Sequence, residues 1–143
     1  MDCGQYNGAG SIGVEIMQIR IEEIFNRELK TVGFDGPAGR AWGHWRGDGD
    51  PQLGTYDVEF DIPDPLASWS VSEAGKHITV GKYSTNTVTI RGTIQAFDDD
   101  QVVTIRVLDD IILVEVAATI TPLPIGTSVE FTTSDLQIYP YFM

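Results

Sequence analysis

Apolar and polar positions alternate with a period of two through Thr87 to Ala117, TVTIRGTIQAFDDDQVVTIRVLDDIILVEVA. Val88 and Ile90 alternate with Thr89 and Arg91, then Val103, Ile105 and Val107 with Thr104 and Arg106. Ile112, Val114 and Val116 alternate in turn with Leu113 and Glu115. Successive side chains on a strand point to opposite faces, and β-branched residues suit a pleated surface, so the pattern predicts three half-buried strands. Asp98-Asp99-Asp100 and Asp109-Asp110 fall where the alternation stops and predict the two connecting turns. Gly92 interrupts the first strand and predicts a bulge that bends the sheet.

Thr55 to Ile62 carries the cleanest alternation. Tyr56, Val58, Phe60 and Ile62 point one way, and Asp57, Glu59 and Asp61 the other. Three acids on one face of a strand repel each other, so that face is predicted to look to water or to a cationic partner. Pro63 and Pro65 end the strand, because proline lacks the N–H a ladder requires. From Val14 to Phe25 two periods compete: Met17, Ile19 and Ile21 fit a strand, while Val14, Met17, Ile21 and Ile24 fit a helical stripe. The Ile and Val content favours the strand. Phe25 to Lys30 reads as a short extension before a break at Gly33.

Between Gly33 and Gly54 the chain carries seven glycines and two prolines, which predicts a long loop holding Trp42, His44 and Trp45. Leu66 to Gly75 reads as connecting structure anchored by Trp69, and His77 to Val80 as a short strand. Pro122 and Pro124 mark a loop. Val129 and Phe131 belong to a penultimate strand, Thr133-Ser134-Asp135 to a turn, and Leu136, Ile138 and Tyr139 to the last strand. Six to eight strands and no helix predict an all-β fold, a small antiparallel, partly closed β-barrel or a sandwich. At 143 residues the chain is expected to form one domain, 1–143, with residues 1–13 a loose lead-in.

The formal net charge of −12 changes the functional picture. Nine basic residues, none after Arg106, argue against nucleic-acid binding, which needs clustered Lys and Arg. No apolar run approaches the ~20 residues of a membrane helix, and MDCGQYNGAGSIG has no secretory pattern, so the expectation is a cytoplasmic chain without membrane partners. Acidity of this kind serves solubility, and it also steers association with a basic protein. The candidate partner-binding residues are Asp57, Glu59, Asp61, Asp98, Asp99 and Asp100. Trp42, Trp45 and Trp69 form the alternative candidate site, a groove for a sugar or another small ligand, with burial as the competing role. Homo-oligomer formation through an open sheet edge is a further option.

Motifs for chemistry are weak. Asp48-Gly49-Asp50 lacks the spacing and distant Glu of a calcium loop, and Asp98 to Asp100 is an ordinary solvated turn. His44 with Asp48 and Asp50 is the best drawing of a metal-dependent enzyme, but His77 has no nearby companion, and zinc chemistry wants three ligands. Cys3 stands alone, so no internal disulfide forms. Ser68 and Ser70 have no signature of an activated nucleophile, and Gly8-Ala9-Gly10 lacks the strand and Lys of a phosphate loop. Arg46-Gly47-Asp48 reads as a chance triplet. The expectation is a non-enzymatic protein without metal or cofactor.

GTYDVEFDIPDPLASW, TIRGTIQAFDDDQVVTIRVLDDIILVEV and VEFTTSDLQIYP together resemble short uncharacterised bacterial proteins, some encoded beside polymorphic toxins as immunity proteins. The shared pattern is Tyr-x-Val-Glu-x-Asp-Ile, a loop with Trp, an acidic hairpin, a hydrophobic strand and a closing Leu-x-Ile/Leu-Tyr. The likeness covers about residues 54 to 140. It implies an oligonucleotide/oligosaccharide-binding-type barrel and an immunity role, and it transfers no catalytic residues. The net charge, the Asp57/Glu59/Asp61 face and the two acidic turns make a basic toxin such as a nuclease the expected target.

Overall fold

Strand β1 (Met17–Asn26) turns tightly into β2 (Thr31–Gly36), which returns through Pro37-Ala38 into β3 (Gly39–Trp45). β4 (Gly54–Asp61) pairs antiparallel with β1, and the last strand, β11 (Gln137–Pro140), lies between β4 and β3. The order β1-β2-β3-β11-β4 closes on itself as a five-stranded barrel. Its one parallel pairing, β3 with β11, is made at Gln137 opposite His44 and Ile138 opposite Trp45. The structure, a computed structural model, describes residues 17–73 and 75–141. Cys3, Gly8-Ala9-Gly10, Val14 and the lead-in 1–13 lie outside the described residues.

The strand pairings assign the two faces of the barrel. Ile19, Ile21, Phe34, Ala41, Val58, Phe60 and Ile138 are buried within it, with Phe34 and Phe60 ring centroids 5.4 Å apart. Trp45 also turns inward, edge-on to Tyr56 at 4.9 Å. Burying one such side chain contributes about 1.5–3 kcal/mol, so this lining drives closure. The competing helical reading of residues 14–25 gives way to the strand where the chain is described, since alternate residues Met17, Ile19 and Ile21 are all buried.

The second sheet is the meander. β7 (Val88–Phe97), β8 (Val102–Val107) and β9 (Asp110–Glu115) follow one another, and β10 (Ser128–Thr133) and β5 (Ser70–Val71) extend the other side. β6 (Ile78–Val80) pairs with β7 on the edge that β8 occupies further along. Val88, Ile90, Ile94, Val103, Ile105, Val107, Ile112 and Val114 are fully buried, as the alternation predicts. One hydrophobic cluster runs through the barrel and this sheet.

Five expectations are corrected. The stretch from Gly33 to Gly54 is not a long loop: most of it is the β2–β3 hairpin, with only 46 to 53 outside that hairpin and β4. Gly33 is no break, because it sits inside β2 opposite Trp42. Gly92 pairs regularly with Val129, and the irregularity of β7 lies between Ile94 and Ala96. A Cβ on Gly92 would lie 2.5 Å from the Arg106 carbonyl oxygen, so that glycine permits close approach of β8. Asp110 is the first residue of β9 and only 1% exposed; the turn is Leu108-Asp109. Among the described residues eleven strands stand where six to eight were expected, chiefly because β2 and β3 fall in the glycine-rich stretch.

The Leu108 turn has a support of its own. Leu108 adopts a φ of 57°, a left-handed conformation unfavourable for a branched residue. Its N–H donates to His77 Nδ1 at 2.8 Å, and His77 Nε2 meets Thr93 Oγ1 at 2.9 Å. An accepting Nδ1 fixes the neutral ring with its proton on Nε2, donated to Thr93. His77 is thus a structural brace, and its chemistry is spent inside the fold.

Candidate functional site

β4 sits between β1 and β11, which places its outward side chains in the middle of a three-strand face. Asp57 lies opposite Gln18 of β1, Glu59 opposite Tyr139 of β11, and Asp61 opposite Gln137. Asp57 is exposed, and Glu59 and Asp61 are half-buried. Gln18 Nε2 donates to Asp57 Oδ1 at 3.5 Å, and the Tyr141 hydroxyl donates to Glu59 Oε2. Tyr139 stands beside Glu59 with 43% of its surface exposed.

The decisive electrostatic question is where the chain's own cations go. Arg20, opposite Thr55 on the same face, turns away to Glu22 at 2.8 Å and reaches Asp35 at 4.0 Å. Arg40 pairs with the same two acids, and Arg91 with Glu130 at 2.7 Å. Arg46 donates through Nε to Gln137, whose own amide donates to Asp135. Among the described residues, Asp57, Glu59 and Asp61 form no ion pair. The hydrogen-bond partners of Asp57 and Glu59 are neutral, so no described cation offsets the negative charge of the row.

Tyr141 tightens this site. Burial above all, then the bond to Glu59 and the charges of Glu59 and Asp110, push its phenol above the ordinary value. The fold therefore favours the protonated ring. That contribution is intact below the usual phenol range, about pH 10, and is lost as pH rises through the raised folded value. Tyr141→Phe should abolish this alkaline loss, so urea melts of the variant should vary less with pH above about 10 than those of the parent.

The other acidic candidates are elsewhere. Asp98, Asp99 and Asp100 form the β7–β8 turn of the second sheet, apart from the β4 row in the fold. Asp98 Oδ1 accepts the N–H groups of Asp100 at 2.9 Å and Val102 at 3.0 Å, which makes its carboxylate a turn cap. Asp99 and Asp100 are exposed.

The three tryptophans do not converge. Trp42 and Trp45 are each 2% exposed and lie on opposite faces of β3. Trp69 lies just before β5, edge-on to Phe97 of the second sheet at 6.3 Å. His44 faces Asp135 at 3.7 Å, and among the described residues no three His, Cys, Asp or Glu side chains gather to hold an ion. Ser70 Oγ donates to the Glu130 carbonyl. Sequence reasoning missed Gln18, Tyr139 and Tyr141. The aromatic closing motif was visible, but its place beside β4 depends on pairing over some eighty residues.

Comparison with family models, curated proteins and solved structures returned no match. Among the described residues no helix is long and apolar enough to cross a membrane.

Proposed function

We propose that this protein is a non-enzymatic interaction module whose β4 face docks a basic protein. The row Asp57, Glu59 and Asp61, which among the described residues has no ion-pair partner, in a chain of net charge −12, carries the reading. Carboxylates held at fixed spacing on a rigid strand meet a basic surface with little ordering cost, and the summed charge accelerates encounter. Exposed Tyr139 beside Glu59 supplies the aromatic contact that commonly dominates such interfaces. In its finer form the partner is a basic toxin such as a nuclease, and this protein is its immunity protein, as the resemblance of residues 54–140 implies. The acids of the 98–100 turn then contribute to steering the encounter and lie outside the contact row.

The test is affinity capture from the native host with the wild-type chain and with Asp57→Asn/Glu59→Gln/Asp61→Asn. The expected result is one basic protein held by the wild type and absent from the variant. Its retention should fall at least about tenfold as salt is raised, because the Debye length shrinks from about 10 Å at 0.1 M to about 3 Å at 1 M. Identical captures on the two baits, or retention indifferent to salt, would sink the reading.

A further inference from the structure

A cavity of about 770 Å³ lies on the outer side of the barrel, where β1, β2 and β3 meet the segment from β6 into the 3-10 turn Tyr83–Thr85. Its walls are mainly apolar: Phe25, Trp42, Val80 and Tyr83, with Gly33 at its floor. Phe25 and Tyr83 stack at 4.5 Å, and Trp42 stands edge-on to Tyr83 at 5.1 Å. The indole N–H is already given to the Thr87 carbonyl at 3.1 Å, so Trp42 offers its neighbours only carbon.

The irregularities of β1 are aimed at this cavity. Ile21 pairs with Phe34 and Glu23 with Gly33, then Ile24 with Val32 and Asn26 with Thr31. Glu22 and Phe25 are therefore the two residues skipped by the ladder, and both line the cavity. A bulge re-aims a side chain, and two within five residues that serve one cavity are a built feature. The space is also fixed in advance. Thr79 N–H donates to Ala38 and Gly81 N–H to Arg40, each at 3.0 Å, tying β6 to the β3 end of the hairpin.

Charge selects the ligand. Glu22 and Glu23 are matched by Arg40 and Lys82 around the cavity, and Arg40 Nε is 3.2 Å from Glu22. In a strongly acidic chain this lining is balanced. An anion would meet two carboxylates and the field of the whole molecule, and a cation would meet Arg40 and Lys82. We propose that this cavity binds a small, electrically neutral molecule with a flat aromatic body, seated against Phe25, Val80 and Tyr83, with the buried Trp42 backing them. Its volume falls in the range of about 300–1,000 Å³ typical of small-molecule sites. The site is separate from the acidic β4 face and stands without it.

N-phenyl-1-naphthylamine, a neutral dye that brightens in apolar surroundings, and its anionic sulfonated analogue 8-anilinonaphthalene-1-sulfonate test both the place and the charge. The neutral dye should bind saturably, one per chain, and more tightly than the sulfonate. Ser84→Trp, an exposed lining position, should fill the space and weaken binding at least about tenfold with an unchanged melting temperature, and Phe25→Ala should weaken it independently. Absence of saturable binding, undiminished affinity in both variants, or tighter binding of the sulfonate would overturn the proposal.

Discussion

Gly43→Val is expected to open the barrel. A Cβ at Gly43 would stand 2.8 Å from the Leu136 carbonyl oxygen and 3.0 Å from the Ile138 side chain. The first of these is backbone, held in place because the same carbonyl accepts the His44 N–H at 2.8 Å. Relief of the clash must therefore move β11 away from β3, at the parallel contact that closes the five strands. Overpacking a core costs about 1–3 kcal/mol where side chains can yield, and a displaced strand puts the expected loss at about 4 kcal/mol or more. Urea unfolding measures that loss, and hydrogen exchange at the His44 and Arg46 amides locates it, since Arg46 N–H donates to Ile138 across the same junction. Gly75→Ala, whose Cβ would meet nothing nearer than 3.5 Å, should change stability by no more than about 0.5 kcal/mol. Equal stability of the two variants would contradict the closure.

That glycine explains why the barrel was only partly legible in the sequence. Where one face of a strand is wet, alternation announces it, and β4, β7, β8 and β9 were readable for that reason. β2 and β3 are covered on both sides. Thr31, Val32, Gly33 and Phe34 are buried in succession, the inner ones by the barrel and the outer ones by the aromatic cluster on its flank. No period of two survives such double burial. Gly43 then stands where the backbone forbids a side chain and Gly33 where Phe25 leaves little room for one, and density of glycine alone cannot distinguish a crowded strand from a loose loop. The signal that was present is the short turn Pro37-Ala38 between Gly36 and Gly39, flanked by TVGFD and RAWGHW.

The candidate site was legible along the chain and illegible across it. Alternation alone placed Asp57, Glu59 and Asp61 outward. Whether an arginine would neutralise them depended on which strands flank β4, and two distant segments supply those strands. Bulges are harder still to foresee. Nothing in MQIRIEEIFN marks Glu22 and Phe25 as the skipped residues, because the skips are set by pairing with β2. A surface defined by one strand can be read from periodicity, whereas a cavity shaped by register cannot.

Trp42→Ala should be the most damaging single truncation on the barrel's outer face. The sequence pointed to burial of this side chain under a loop; it is buried, but from within a strand. Trp42 faces outward from β3, opposite Gly33, and is covered by Tyr83 and by the chain at Thr87. Its indole thus spans the join between the barrel and the second sheet. Truncation removes that apolar area, leaves a void between two elements pinned by backbone bonds, and orphans the Thr87 carbonyl. Loss of a buried large aromatic costs about 3–5 kcal/mol, and the pinned surroundings place the expected value in the upper part of that range. Trp42→Phe keeps a ring against Tyr83 and loses the hydrogen bond, so about 1–2 kcal/mol is expected from the unpaired carbonyl and the reduced area together. Thermal unfolding ranks the pair, and near-ultraviolet circular dichroism should lose the Trp42 signal in both. If Trp42→Ala melted with the parent, the indole would be a surface ornament and the two sheets would be joined by other contacts, chiefly the β3–β6 backbone bonds.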